Sequence, residues 1–455
     1  MSKTIKLKRG LDLNLAGKAE KKIVDSTPSE LYAVKPSDFQ GIGRQKLLVQ
    51  EGDNVKAGTP LFRSKTMDRV NITSPVSGEV VEVKRGEKRR LLEIHVLADK
   101  QIEYESFQKY TPSDLINLSR EEAEEQMLAS GVWPHIIQRP FGVVANPADT
   151  PQAIFMSGFD SSPLAPDFGF AYRGEEKYLQ AGIQVLKKFT SGIFHVNLNA
   201  DAEVSSLFSQ LEGVQVNKFS GPHPAGNVGV QIHHLAPIHK SDLVWTITPV
   251  GAIQIGKLFL EGKYDASKVV AVAGSEVKQP QYYRVLNGMR IDKLTQGNVH
   301  SDNVRFISGN VLNGERIAGN GFLGFYHSML TIIPEGNHHR FLGWITPIKE
   351  KYSFQRAFGL LSYFNPKTKE YVMDTNVNGE ERAFVQTGLM EKVLPMDVYV
   401  EYLLKAIMAQ DYDNMEALGI YEIVEEDLAL CEYIDVSKME VQAIVREGIE
   451  LMRNS

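Results

Sequence analysis

Four histidines, His223, His233, His234 and His239, fall within seventeen residues of one another. Imidazole is the commonest metal ligand and the side chain that titrates nearest neutral pH. A metal site would still need further donors, and here no cysteine is near, Asp242 is the closest carboxylate, and the spacing fits no familiar ligand set. The run Gly221-Pro222-His223-Pro224-Ala225-Gly226 reads instead as a rigid loop whose prolines fix the backbone. Such a loop suits docking a partner or lining a pocket, or is simply a structural turn. A second stretch mixes Trp133, His135 and Phe141 with Arg139. Apolar or aromatic walls with one or two donors are the usual make-up of a small-molecule pocket. Trp133, His135, Arg139, Phe141 and His223 are therefore the candidate ligand- or partner-contact residues. The plainer alternative is that the aromatics pack core and the histidine caps a turn. Gly319-Asn320-Gly321-Phe322-Leu323-Gly324 satisfies G-x-G-x-x-G, but that fingerprint needs a helix after the loop. Phe325 to Pro334 reads as a strand, so the glycines are expected to form a turn. No acid, base, nucleophile or metal ligand is assigned.

These residues must be positioned by several folding units. With 455 residues and 43% hydrophobic content, the chain can bury several cores, and three or four domains are expected. A net charge of -6 gives no electrostatic footprint for nucleic acid, and no such partner is expected. The single cysteine, Cys431, excludes an intramolecular disulfide and suits a cytoplasmic setting. Met1 to Arg9 carries charge with no apolar segment after it, so no secretion signal is expected. No apolar run approaches the eighteen or so residues of a membrane span.

Val49 to Leu61 holds alternating valines between Glu-Gly-Asp and Ala-Gly-Thr-Pro, and Ser74-Pro75-Val76-Ser77-Gly78-Glu79-Val80 supplies a returning strand. The pattern resembles the barrel-sandwich hybrid of biotinyl and lipoyl carrier domains. Counting back eight residues from Pro75 reaches Met67, where such a carrier has its modified lysine. Met67 has no amine, and Lys65 lies two residues off. The shape is expected without the chemistry, as a scaffold module.

Ser119-Arg120-Glu121-Glu122 has capping-box spacing and opens an acidic helix ending at Gly131. Beyond it, strand-like Ile154–Met156, Ile193–Val196, Val214–Val216 and Leu243–Ile247 alternate with helical faces at Tyr178–Phe189, Val204–Leu211 and Pro249–Leu260. That alternation argues for a parallel sheet covered by helices. From Val269 the texture becomes small α+β, with Asn287-Gly288 as a turn and Val304–Ile307 as a strand. The last part is helical. Pro395 is expected in a first turn before Val398, Tyr402, Leu403 and Ile407, and Ser437-Lys438-Met439-Glu440 is expected to cap a final helix.

Ile5 to Leu13, the unmodified carrier-like hairpin, Gly131-Val132-Trp133 with Arg139-Pro140-Phe141, the Gly-Pro-His-Pro-Ala-Gly loop, Phe322-Leu323-Gly324 with Ile333-Pro334-Glu335-Gly336, and Glu425 to Cys431 run in order through the chain. Together they resemble the A subunit of the sodium-translocating NADH:quinone oxidoreductase. The resemblance implies a multidomain α/β and α+β protein: a barrel-sandwich hybrid at 1–100, a Rossmann-like domain at 101–262, an SLBB-type β-grasp domain at 263–335, and a mixed, then helical, C-terminal domain at 336–455. It implies one of six subunits of a respiratory complex, peripheral on the cytoplasmic face of the bacterial inner membrane, near quinone reduction and docked chiefly on the membrane-embedded B subunit.

The family is related to the flavin-binding subunit of complex I and to the C subunit of the Rnf complex. Flavin-binding relatives leave a glycine-rich loop open for phosphate. The corresponding stretch here, Gly131 to Phe141, is filled by bulky side chains and two prolines. Iron-sulfur clusters need about four thiolates each, and only Cys431 is available. Asp435-Val436-Ser437-Lys438 stands where close family members show Cys-Pro-Gly-Lys. No tightly bound cofactor is expected in this subunit; NADH, flavins, iron-sulfur centres and quinone serve the complex in or with other subunits. An acyl carrier fails on Met67, a dehydrogenase on the context of Gly319, and an Rnf-type electron carrier on cysteine count. A redox-inactive docking scaffold stays open. The isolated chain should accordingly be colourless, and a visible spectrum with a flavin band at one equivalent per chain would contradict this.

Overall fold

The chain opens with β1 (Thr4–Lys6) and β2 (Glu20–Asp25), neither of which pairs with the strands that follow directly. The carrier-like region then supplies β3 (Leu31–Val34), β4 (Gln45–Leu47), β5 (Asn54–Val55), β6 (Pro60–Ser64), β7 (Asn71–Thr73), β8 (Gly78–Arg85) and β9 (Leu91–Ala98). They form two antiparallel sheets, β3-β9-β8-β5 and β4-β6-β7. Leu61, Phe62, Ile72, Val76, Val80, Ile94 and Val96 fill the space between them. Gly78, at φ +151°, crosses so near the neighbouring strand that a Cβ would lie 1.9 Å from the Leu97 carbonyl oxygen. Lys65, Thr66 and Met67 occupy the turn between β6 and β7, with Lys65 exposed and Met67 half-buried.

The computed structural model describes residues 2–338, 341–343, 350, 352–354, 361, 364–366 and 368–455. Helices of eight or more residues are numbered below. The capping box forms as expected on α1 (Arg120–Ser130), whose Ser119 hydroxyl accepts from Glu122 N, with Gly131 left-handed at its end. There follow β10 (Ile137–Arg139), β11 (Val143–Val144), β12 (Ala153–Ser157), α2 (Glu176–Leu186), β13 (Ile193–Asn199), β14 (Gln215–Ser220), α3 (Val228–Leu235), β15 (Val244–Thr246) and α4 (Pro249–Glu261). Their sheet runs β1-β14-β13-β12-β15-β10-β11 and is parallel from β1 to β15. The order reverses between β12 and β15. The next unit contributes β16 (Ser267–Ala273), β17 (Gln281–Leu286), β18 (Val304–Ser308), β19 (Glu315–Ile317) and β20 (Met329–Pro334), ordered β19-β18-β20-β16-β17-β2. The first twenty-five residues thus add one strand to each of these two later sheets. They stitch the N-terminus across the molecule.

Near the C-terminus stand α5 (Val400–Met408) and α6 (Val441–Asn454) with shorter helical turns between. Their core of Leu403, Leu404, Ile407, Leu428, Cys431, Val441, Val445 and Ile449 takes in Leu7, Phe219, Ala225 and Val230 from the N-terminus and the parallel-sheet region. Among the described residues no helix is long and apolar enough to cross a membrane.

Several expected elements shift. The face from Val204 to Leu211 shrinks to one turn, Ser206–Ser209, with Val204 exposed. Pro395 does not start a helix: its carbonyl accepts from His234 Nε2, α5 begins at Val400, and Tyr402 points outward. Ser437 does not cap α6, because its hydroxyl donates to Ala383 O while the Asp435 carboxylate takes the Ser437 and Met439 N–H groups. The strand after the Gly319–Gly324 loop starts only at Met329, since Phe325 N donates to Asp38 and the Tyr326 hydroxyl to Pro134 O. The loop does lie between two strands, β19 and β20, so no helix follows it.

Helices α2 and α4 pack at backbone distance through two glycines. A Cβ on Gly182 would meet Ala252 O at 1.9 Å, and one on Gly256 would meet Tyr178 O at 1.8 Å. Gly256→Ala should therefore push the helices apart and cost about 1–3 kcal/mol. Chemical unfolding of the variant checks this, and an unchanged midpoint would show that the helices do not depend on that contact.

Candidate functional site

The tip after β10 turns at Pro140-Phe141-Gly142, with Phe141 at φ +84°. It runs against the C-terminal segment: the Phe141 ring meets Tyr421 edge-on at 6.1 Å, and Arg446 Nη1 donates to Phe141 O at 3.1 Å. Arg139, 2% exposed, reaches the same segment. Its Nη1 donates to Asp427 Oδ2 at 3.0 Å and its Nη2 to Glu426 Oε1 at 2.8 Å. Asp427 lies over the first turn of α3, where a Cβ on Gly229 would fall 2.4 Å from its Oδ2. That position also suits a carboxylate because a helix begins with unsatisfied N–H groups. Val424 N donates to the same oxygen at 3.1 Å. Burial, then the Asp427 charge, push the Glu426 carboxyl up against the pull of Arg139.

The His223 loop arrives at this junction from the carboxyl end of β14. Its Asn227 Nδ2 donates to Glu426 O at 3.0 Å. His223 N donates to Asp12 Oδ1 at 2.9 Å, and the ring Nδ1 lies 3.0 Å from Ser161 Oγ, which also accepts from Gly226 N. Burial lowers the His223 imidazole to about 4. Arg139, Phe141 and His223 are thus brought to one seam with the C-terminal helices.

Trp133 and His135 are placed elsewhere. Trp133 is fully buried, edge-on to Phe189 at 5.4 Å and to Trp245 at 5.7 Å, and its Nε1 donates to Ala145 O at 2.8 Å. It is a core residue. His135 stacks on Phe325 at 4.6 Å and pairs with Gln254 Oε1 at 2.7 Å, and burial lowers it to about 4. Beside it lies a small polar junction of three units. Lys35 pairs with Asp38 and Glu315, while Lys268 Nζ donates to the Gly324 and Phe325 carbonyls and is lowered by burial to about 7. A cavity of about 20 Å³ there, lined by Lys35, Asp38 and Asn287, has room for one water.

His233 and His234 bind α3 to the C-terminal segment, whereas His239 is exposed beyond the helix, its backbone N donating to Asp242. His233 Nδ1 faces Glu422 at 2.7 Å while its Nε2 accepts from Asp397 N. Among the described residues no group of three or more histidines, cysteines or acids could hold a metal ion. Sequence reasoning missed the partners Glu426, Asp427, Asp12 and Ser161. The adjacent acids before an apolar run were visible, but nothing local announces an arginine 288 positions away.

Family models described as NqrA N-terminal barrel-sandwich hybrid domain, NqrA second alpha/beta domain and NQRA C-terminal domain match residues 5–99, 118–264 and 269–319. The A subunit of the Na(+)-translocating NADH-quinone reductase of Serratia proteamaculans is 40% identical over 450 residues, covering 97% of this chain and 98% of its own. Its counterpart in Neisseria meningitidis serogroup A is 36% identical over 447 residues, covering 98% of both. This chain belongs to the NqrA family. The barrel-sandwich, α/β and SLBB units described above are the NqrA domains of that family. An NAD+-reducing NiFe hydrogenase aligns over 51% of this chain and 52% of its own with TM-score 0.34 at 12% identity, too low for a shared fold to follow.

Two measurements test the geometry. Asp427→Ala should cost about 3–5 kcal/mol by taking from the buried Arg139 charge its fully buried partner and leaving it Glu426 alone. The double variant Arg139→Met/Asp427→Leu should recover most of that loss in urea unfolding. The second concerns pH. Burial holds His135, His195 and His223 to about 4 against an ordinary 6.5. The unfolded chain takes up protons below about 6.5 while the folded imidazoles wait until about 4, so stability is lost as pH falls through that window. Each histidine contributes at most about 1.4 kcal/mol per pH unit. Unfolding midpoints at pH 7, 6 and 5 should fall, and His223→Asn should flatten the dependence.

Proposed function

We propose that this chain is the NqrA component of a sodium-exporting NADH:quinone reductase, peripheral on the cytoplasmic face of the membrane. There it docks on the membrane-embedded B subunit, where it supports or lines the site of quinone reduction. The complex passes electrons from NADH to quinone, giving quinol, and couples that flow to sodium export. The observation that carries this reading is similarity over 97% of the chain to a relative from the same kind of complex. The sheet order from β14 to β15 supports a Rossmann-like core for the second domain, and the packing of α5 and α6 supports a helical C-terminal domain.

The reading assigns no tightly bound cofactor to this subunit. In its support, Cys431 lies fully buried in the helical core, and burial pushes its thiol far up, the opposite of what a thiolate ligand needs. The seam of Arg139, Phe141 and His223 is the region assigned to quinone or partner contact, while Trp133 and His135 lie apart from it, against Trp245 and Phe325. A second reading, a redox-inactive docking scaffold, draws on the same seam: Arg139 and His223 already have partners in Asp427, Glu426 and Ser161.

Photo-crosslinking with a quinone analogue on the whole complex separates the two. Label in the Phe141 or His223 segments supports the first reading, and label confined to membrane subunits supports the scaffold. If this chain contributes, Phe141→Ala should weaken labelling several-fold and leave NADH oxidation by an artificial acceptor intact. Failure of the chain to co-purify with detergent-extracted membrane subunits would overturn both.

A further inference from the structure

Helix α3 is too short for the sheet it covers. Its eight residues span about 12 Å, whereas the seven residues of β13 span about 23 Å. The amino ends of β12, β13 and β15 therefore run out from under the helix on that face. The chain returns below it through Ala236–Asp242, and between this segment and the strand ends lies a groove of about 300 Å³. This is the lower end of the range for pockets that take small organic ligands. Ala153, Ile193, Pro237, Ile238 and Val244 give it apolar walls. Ile193, the first residue of β13, is 48% exposed.

One polar group in the groove is oriented with unusual care. The His195 ring lies flat on Phe155, 4.5 Å away at 11°. Its Nδ1 faces the Asn217 amide nitrogen at 3.2 Å. The Asn217 amide cannot turn over, because its oxygen accepts from Lys3 N and Gln215 Nε2 while its nitrogen also donates to Asn197 Oδ1. Asn197 and Gln231 extend the same chain of hydrogen bonds to Ser157. Nδ1 is thus fixed as an acceptor, and the proton of the neutral ring sits on Nε2. Burial, with the Lys3 charge adding to it, keeps the ring neutral down to about pH 4. Among the described residues Nε2 has no hydrogen-bond partner, and the ring forms part of the groove wall. Across the groove stands the Asp242 carboxylate, one oxygen of which accepts from His239 N.

A neutral donor opposite a carboxylate disfavours an anionic guest, and the apolar walls disfavour a strongly hydrated one. We propose that this groove binds a small, neutral, largely apolar compound whose carbonyl accepts from His195 Nε2. The inference stands on the groove's own chemistry and is independent of the reading given above for the Arg139 seam.

The test uses 1-indanone, with indane as the same ring system lacking the carbonyl, in saturation-transfer NMR titrations of the full chain. Wild-type protein should bind 1-indanone about fivefold more tightly than indane, the equivalent of one neutral hydrogen bond. His195→Phe keeps the stacked ring and should reduce that preference to less than twofold. Ile193→Arg changes only an exposed strand-end residue and should abolish binding of both. Equal binding of the two probes by wild type would overturn the proposal in favour of a purely apolar guest such as a partner's side chain. Unchanged 1-indanone binding by Ile193→Arg would overturn it outright, whatever the His195 variant does.

Discussion

A buried charge pair between distant segments holds the C-terminal helices to the parallel sheet. Arg139 comes from β10, next to the last strand of the sheet, and Asp427 from a turn before the last helical core. Neither side chain reaches water, so neither charge tolerates separation from the other. The surroundings serve that requirement: Gly229 leaves space for the carboxylate, Val424 N donates to the same Oδ2, and Asn227 holds the turn by the Glu426 carbonyl. The cost of desolvating such a pair means that it adds little net stability compared with an apolar replacement, but it strongly penalises any other register of the two segments. Its effect is therefore on where the C-terminal helices sit. Tyr421 against Phe141, and Glu422 against His233, extend the same seam.

The N-terminus secures the assembly by a different means. Strand β1 completes the parallel sheet, and β2 completes the sheet of the SLBB unit, before the chain starts its own sandwich. Backbone hydrogen bonds are costly to leave unmade in a buried setting, so each of these edge additions fixes two units together along a whole strand. Asp12, between β1 and β2, then takes the His223 amide. A segment of twenty-five residues thereby touches the parallel sheet, the SLBB unit and the loop at the C-terminal seam. Units that could be read as separate beads in the sequence are interlocked by their first strands.

How much of this was legible follows from range. The alternation of strands and helices between Ile154 and Leu260 is a local property, and most elements fall close to where hydrophobic periodicity puts them; the face from Val204 to Leu211 keeps only one turn, and the pattern does not mark α3. The capping box at Ser119 is local too, and forms. Ser437 has identical spacing, yet its hydroxyl goes to Ala383, fifty-four positions back, and Asp435 takes over the backbone donors. Pro395 reads as a helix start, but its carbonyl is claimed by His234 from α3, 161 positions away. Candidate residues divide in the same way. That Trp133, His135, Arg139, Phe141 and His223 carry unusual chemistry is visible in their types. Which are packed and which are paired depends on Ala145, Gln254, Asp427, Tyr421 and Ser161, none of them indicated by local sequence.

The parallel sheet also shows how one fold distributes open and closed surface. Doubly wound sheets bind ligands beyond the carboxyl ends of their strands, where loops diverge. Here the loops after β12 and β14 converge instead on the Glu425–Asp427 turn: Ser161 receives the His223 loop, and Asn227 grips Glu426. The chain's own carboxylates thus meet that edge, and the helix that descends from it is only two turns long. Shortness at α3 is what leaves the opposite, amino-end face uncovered. Closing one edge of the sheet with the C-terminal segment and opening the other beneath a truncated helix are, on this geometry, two results of the same placement of α3. The polar ladder from Ser157 through Gln231, Asn197 and Asn217 to His195 runs between the two ends, fully hydrogen-bonded until its last nitrogen.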